Sequence, residues 1–346
     1  MMKLVVAYGG SLDGAAAFAL LAHRLGADLA ALTLDLGQGI DLEQVRDQAR
    51  TAGALRAHII DARRELAGQI LRPALTAGAF EAGPRAISVT RPVIARHLVA
   101  AARMEGTTEV AHGASGADRV RLDRLIADLA PELTIHAIGD DGRQDASAPR
   151  IDQNLWGRTV TMGEPADAWA LAPSDTFTRT SEPHTCAAQP AIVEIAIERG
   201  VPVAVNGVPL DIDELVEVVD TIAGDHGVGR YDHASALSRA LVEAPAAAVL
   251  SAAISELASA SFDRDMLALR GQMAHAYGAL IDEGRWHTPT RDALDAFTAA
   301  SADRLSGAVR LLLLRGACRV VGRRLDASAA ARQSSAISLQ PSVTVS

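Results

Sequence analysis

Along the first stretch of the chain, to about residue 140, short apolar runs alternate with longer segments of helical period. Residues 3–7 form an unbroken β-favouring run, followed by the turn Tyr8-Gly9-Gly10-Ser11. Residues 15–25 are apolar, rich in Ala and Leu and too long for a strand, which predicts a helix opened by Asp13. Residues 29–34 read as a second buried strand, 42–53 as an amphipathic helix and 57–60 as a third strand. Helices are expected over 64–77 and 93–106. A strand at 109–112 then runs into the small-residue loop 113–117, a helix at 118–130 and a strand at 133–138. Apolar strands alternating with helices of this length imply a parallel sheet covered on both faces. Such sheets take ligands at the carboxyl ends of their strands, near the point where strand order reverses.

The pattern changes beyond residue 140. Residues 140–148 are polar and read as an exposed loop. Residues 192–197, 201–205 and 208–210 read as antiparallel strands with Asn206-Gly207 as a hairpin turn. Residues 212–223 are a helix with an acidic first turn, and 244–277 are mostly helical with Asp263 capping a second helix. Residues 309–314 and 317–322 pair around Arg315-Gly316, and the Ala/Ser-rich residues 327–346 are read as a tail.

Composition narrows the possible functions. A chain of 346 residues suggests two domains at roughly 100–200 residues each. The formal charge of −9 argues against a general nucleic-acid coat or a polybasic membrane anchor. Lys3 is the only lysine, which excludes a Walker-A phosphate loop and any Schiff-base lysine beyond it. A codon bias toward Arg, Ala and Gly explains that scarcity over the surface. Two cysteines, Cys186 and Cys318, are too few for a disulfide framework or a cysteine zinc site. No signal-peptide pattern precedes the first strand and no apolar stretch is long enough to span a bilayer, so a cytoplasmic protein is expected.

The strongest local signal is Ala7-Tyr8-Gly9-Gly10-Ser11-Leu12-Asp13-Gly14, between the first strand and first helix. Small residues let the backbone approach a polyphosphate, backbone N–H groups and the helix N-terminus supply positive potential, and Asp13 is placed to reach a phosphate-bound magnesium ion. A tight turn that needs glycine for its dihedral angles accounts for the same residues.

This loop resembles the pyrophosphatase loop of the ATP-pyrophosphate-forming synthetases, S-G-G-x-D-[ST]. Further segments are similar, in order and spacing, to argininosuccinate synthase. They are Leu34-Asp35-Leu36-Gly37-Gln38-Gly39, Arg91-Pro92-Val93-Ile94-Ala95 and Val110-Ala111-His112-Gly113-Ala114-Ser115-Gly116. Ile151-Asp152-Gln153-Asn154-Leu155-Trp156-Gly157-Arg158, Gly200-Val201-Pro202-Val203-Ala204-Val205-Asn206-Gly207 and Ile222-Ala223-Gly224-Asp225-His226-Gly227-Val228-Gly229-Arg230 continue the series. Leu294-Asp295-Ala296-Phe297, Gly307-Ala308-Val309-Arg310-Leu311 and Arg319-Val320-Val321-Gly322-Arg323-Arg324 complete it, so the resemblance spans about residues 3–325. It implies an α/β fold: a parallel-sheet, Rossmann-type nucleotide-binding domain of the adenine nucleotide α-hydrolase kind over 1–160, and an α+β catalytic and multimerisation domain over 161–326. It also implies ATP and Mg2+, aspartate and a citrulline-like acceptor as small-molecule partners, and a homo-oligomer, the family being typically tetrameric. The implied reaction adenylates a ureido oxygen, releases pyrophosphate and lets the aspartate amine displace AMP. Such catalysis is largely positioning and charge stabilisation.

Carried over residue by residue, the resemblance places Ala7, Tyr8, Gly9, Gly10, Ser11, Asp13, Gly14, Leu34 and Gly113 at the nucleotide. It places Ser88, Ser115, Asp118, Arg121, Arg150 and Thr159 at the substrates, with Asp13, Asp118 and Arg121 as the catalytic set. Departures from the family's pattern are concentrated in the same places. Gly9, Ser11 and Gly14-Ala15 replace its first serine, second glycine and Thr-Ser pair, and each lost hydroxyl contact to phosphate is worth about 1.5–3 kcal/mol. Leu34 replaces a small residue beside adenine, Gly83 and Val242 replace tyrosines, Ala117 an asparagine and Arg150 a serine. Two residues are missing before Ala117, about five near Ser238-Arg239, and an insert is absent between His136 and Arg150; the family's lysines fall in or beside the first two of these gaps. These changes lead to the expectation of a ligase with an altered acceptor, one serving specialised metabolism; a non-catalytic homologue is the alternative. Asp152 and Arg158 are expected to pair in a structural network, Trp156 to lie in the core or an interface, and His226 and His233 to lie in loops. His112, at a strand end, is more often a satisfied neighbour than a catalyst.

Overall fold

The computed structural model describes residues 2–9, 18, 21, 23, 25–137, 149–162, 169–186, 189–234 and 239–326. Gly10, Ser11, Asp13 and Gly14, most of the helix expected over 15–25, the loop expected over 140–148 and the tail 327–346 lie outside the described residues. Phe18 and Leu21, from that first helix, are helical and buried.

Five parallel strands form the first sheet: β1 (Lys3–Ala7), β2 (Asp28–Asp35), β3 (Arg56–Asp61), β4 (Glu109–His112) and β5 (Thr134–Ala137), in the order β3-β2-β1-β4-β5. Strand order reverses at β1, so the carboxyl ends of β1 and β4 flank the crevice where such sheets bind ligands. Leu4, Val5 and Val6 of β1 are each at most 1% exposed because apolar clusters cover both faces. This explains why the strand is an apolar run rather than an alternation. Burying each such side chain contributes about 1.5–3 kcal/mol.

The helix expected over 64–77 is interrupted. It runs as Arg63–Glu65, a π-helical stretch Leu66–Leu71 and Arg72–Ala77, ending on Gly78 with φ +80°. Helices Leu42–Thr51, Arg91–Glu105 and Gly116–Leu129 complete this part.

A second, antiparallel sheet has the order β10-β9-β8-β13-β14, with β8 (Ala191–Glu198), β9 (Val201–Val205), β10 (Val208–Pro209), β13 (Gly307–Leu314) and β14 (Ala317–Leu325). Its hairpins turn at Asn206-Gly207 and Arg315-Gly316. All four residues have positive φ, between +47° and +83°, as two-residue turns matched to strand twist require. The expected pairings all form. Asp263 accepts the backbone N–H of Met266 at 2.8 Å and caps helix Arg264–Asp282, which follows Pro245–Ser261. Helix Ile212–Asp225 carries the acidic first turn.

A third sheet, order β11-β12-β7-β6, was not apparent in the sequence: β6 (Arg150–Asn154), β7 (Gly157–Met162), β11 (Arg230–Ala234) and β12 (Arg239–Glu243). β6 and β11 are mostly polar, so no apolar period announces them. The boundary expected at 160 falls inside β7. Helix Pro289–Ala302 is a further element beyond those expected. No described helix is long and apolar enough to cross a membrane. The largest apolar cluster is continuous through both halves of the chain.

Candidate active site

β1 delivers Ala7, Tyr8 and Gly9 to the carboxyl edge of the parallel sheet. Ala7 lies in register with Leu32 of β2 and His112 of β4. The Tyr8 N–H donates to Leu32 O at 2.8 Å, and the Thr33 hydroxyl donates to Tyr8 O at 3.0 Å, so the strand is held to its last residue. The Tyr8 ring packs edge-on against Phe18. Gly9 and Gly113 are exposed, and a methyl group added at either would meet nothing within 4 Å. Both therefore border open space at the crevice, as a close backbone approach to a ligand requires. Leu34 is buried in the core, 8% exposed.

The loop after β2 is clasped by Gln38. Leu36 N–H donates to its Oε1 at 2.6 Å, and its Nε2 donates to Leu34 O at 2.7 Å. Gly37, at φ +82°, lies so close to Leu155 that a Cβ would stand 2.9 Å from its backbone. Leu155 N–H in turn donates to Leu36 O at 2.6 Å, which seats the β6–β7 hairpin on the first sheet.

The substrate-side residues converge on Asp118, in the first turn of helix Gly116–Leu129. Arg91 Nε donates to its two oxygens at 2.9 and 2.8 Å, and Arg121 Nη1 donates to Oδ1 at 2.7 Å. Arg91 Nη2 also donates to Asp152 of β6 at 2.6 Å, and Arg121 Nε donates to Asp282 O at 2.7 Å. Arg85 Nε completes the chain on the Asp282 carboxylate at 2.8 Å. Burial pushes the Asp118 carboxyl up, but Arg91 and then Arg121 outweigh it and hold the group below the usual carboxylate range. Burial opposes charge on Arg91 too, and Asp152 and Asp118 overcome it.

Ser115 is the N-cap residue of the same helix, in extended conformation, and its hydroxyl accepts from Arg150 Nη1. Ser88, 7% exposed, opens the 3-10 turn Ser88–Thr90 that leads into Arg91. Thr159 is 3% exposed and lies in one transverse row with Asp152 and Val242. Val242 is itself buried in the core rather than lining an opening.

Arg158 and Asp152 do not pair with each other, contrary to expectation. They lie on opposite faces of the sheet because adjacent β positions alternate. Asp152 meets Arg91, while Arg158 Nη1 donates to Glu243 at 3.1 Å. Glu243, 1% exposed, also accepts the N–H groups of Thr178, Arg179 and Thr180 at 3.0, 2.8 and 2.9 Å and the Thr180 hydroxyl at 2.7 Å. Trp156 is core: it is fully buried, its Nε1 donates to Pro84 O at 2.7 Å and it packs on Phe80. His226 lies just past helix Ile212–Asp225, whereas His233 stands in β11, stacked on Tyr231.

No role at this site was expected from sequence for Arg91, Asp282 or Glu243, and Asp152 was expected to pair with Arg158 rather than with Arg91. One signal for Arg91 was available: a cation in the first turn of a helix opposes the helix dipole, so its placement calls for carboxylate partners.

Residues 3–146 match the model of the "Arginosuccinate synthase N-terminal HUP domain", and residues 150–341 that of the "Arginosuccinate synthase C-terminal domain". The chain belongs to the argininosuccinate synthase family. It is 37% identical over 349 residues to the argininosuccinate synthase of Rubrobacter xylanophilus, covering 93% of this chain and 85% of that protein. Against the enzyme of Symbiobacterium thermophilum it is 37% identical over 350 residues, covering 93% and 87%, and against that of Dictyoglomus thermophilum 34% over 349 residues, again 93% and 87%. The five-stranded parallel sheet is thus the HUP domain of an argininosuccinate synthase-like ATP-dependent ligase family, joined to a C-terminal part with antiparallel sheets.

Proposed function

We propose that this argininosuccinate synthase homologue is an AMP-forming carbon–nitrogen ligase working on an acceptor other than citrulline. An acceptor oxygen, ureido or carboxyl, attacks the α-phosphorus of ATP, and pyrophosphate leaves. The amine nitrogen of aspartate then attacks the activated carbon, and AMP departs with that oxygen. A ureido or carboxylate oxygen is a poor leaving group until it is esterified to AMP, which is why the nucleotide is consumed.

The loop from Ala7 to Gly14, with Gly113 opposite, is the proposed nucleotide cradle, with Leu34 beneath adenine. Magnesium comes with the triphosphate, and Asp13 is the carboxylate proposed beside it. Asp118 holds the donor ammonium group and Arg121 an acceptor carboxylate, supported by Ser88, Ser115 and Thr159. The observation that carries the altered acceptor is Arg150, whose guanidinium lies on the Ser115 hydroxyl where the family pattern has a small serine. It adds a positive charge at the rim of the site, which favours an acceptor with one more anionic group than citrulline. A role in specialised metabolism, a cytoplasmic location and a homo-oligomeric state belong to the same reading.

One feature favours a non-catalytic reading: both Asp118 oxygens are already held by guanidinium groups. Exchange of labelled pyrophosphate into ATP decides between them, with aspartate and a panel of ureido and carboxylate compounds. Exchange with an anionic acceptor above that with citrulline is expected. No exchange, together with no calorimetric ATP binding at millimolar concentration, overturns the ligase reading. Light scattering at micromolar concentration tests the oligomer, and a clean monomer contradicts it.

A further inference from the structure

His112 ends β4 beside Ala7, at the point where strand order reverses, and its side chain is 1% exposed. Both ring nitrogens are engaged. The N–H of Ala114 donates to Nδ1 at 3.3 Å, so Nδ1 carries no proton. Nε2 therefore carries it and donates to Asp123 Oδ1 at 2.7 Å, from the middle of helix Gly116–Leu129. Asp123 also takes Arg119 Nε at 3.4 Å on its other oxygen. The neutral tautomer is thus fixed by its two partners, and burial favours the uncharged ring.

We propose that His112 is a positioning residue for the nucleotide site: its imidazole sets the turn Gly113–Ser115 by holding the Ala114 amide against a helix-anchored ring. Gly113 then faces the crevice at a fixed angle, and Ser115 is delivered to Arg150 at the start of the helix. With neither nitrogen free, the ring is not the general base of the reaction. The effect on ATP rests on the ligase reading; the effect on the turn does not.

Two substitutions separate the two bonds while removing the same ring. His112→Asn keeps an acceptor near the position of Nδ1 and loses the reach to Asp123. His112→Gln keeps the reach to Asp123 and loses the acceptor for Ala114. Amide hydrogen exchange read at Ala114 in the full chain is expected to be about tenfold faster in His112→Gln than in the wild type, with His112→Asn near wild type. ATP affinity by calorimetry should fall about tenfold in His112→Gln and less than threefold in His112→Asn. Equal exchange at Ala114 in the two variants, whether both fast or both slow, overturns the proposal, because the ring would then act only by filling space. If the wild type binds no ATP, the ligase reading fails, and exchange at Ala114 still decides the role of His112.

Discussion

Two carboxylates anchor arginine side chains, Glu243 on β12 and Asp118 on helix Gly116–Leu129, and they differ in what holds them. Glu243 is sealed from solvent and saturated by three backbone N–H groups, a hydroxyl and Arg158. Backbone donors cannot leave without unfolding the segment 178–180, so this carboxylate belongs to the framework. Asp118 keeps an 18% exposed side chain and, among the described residues, is held by the side chains of Arg91 and Arg121, each with a second partner of its own. Side-chain partners can be exchanged for the ammonium group of a ligand at modest cost. A buried ion pair is weak support for function by itself; one held by side chains rather than by backbone is a better candidate.

The largest effect is expected at the framework carboxylate. Glu243→Gln keeps the shape but leaves Arg158 without its counter-charge, and breaking a buried pair costs about 3–5 kcal/mol. Urea denaturation should show that loss, with ATP affinity of the folded fraction unchanged. A loss below about 1 kcal/mol would erase the contrast with Asp118.

Asp118→Asn should cost less stability, about 1–2 kcal/mol given its partial exposure, yet slow aspartate-dependent product formation about a hundredfold. The sign of its pH dependence follows from the depressed carboxyl. Its folded-state pKa lies below the unfolded value near 3.9, so its stabilisation is complete above that value and is lost as pH falls through the folded pKa. Acid denaturation of Asp118→Asn should lack that component. An identical acid profile in variant and wild type would show that Arg91 and Arg121 do not hold this group.

The smallest effect on stability is expected at Arg150, which is exposed. Arg150→Ser should change stability by no more than about 0.5 kcal/mol. It should shift acceptor preference in pyrophosphate exchange toward less anionic compounds. Unchanged preference would remove Arg150 from the site.

Much of the fold was legible because its strands bury two faces. The apolar runs of β1 and β2 and the turns Asn206-Gly207 and Arg315-Gly316 each carry a physical signature in sequence. The third sheet was not legible, since β6 reads Arg-Ile-Asp-Gln-Asn and is stabilised by its neighbours and by Arg91 rather than by apolar alternation. The grouping of Ser115, Asp118 and Arg121 was expected from the family pattern. Arg91 joins Asp118 from 27 residues away, and Asp282 joins Arg121 across 161. Contacts of that kind depend on how helices pack, which local sequence does not encode.

The central claim, that this chain activates an acceptor oxygen by adenylation, is tested most directly by following that oxygen. A heavy-oxygen label placed in the ureido or carboxyl group of an acceptor that supports turnover should appear in the phosphoryl group of the released AMP, one atom per product formed. Label retained in the product, or ADP and inorganic phosphate in place of AMP and pyrophosphate, would contradict the account.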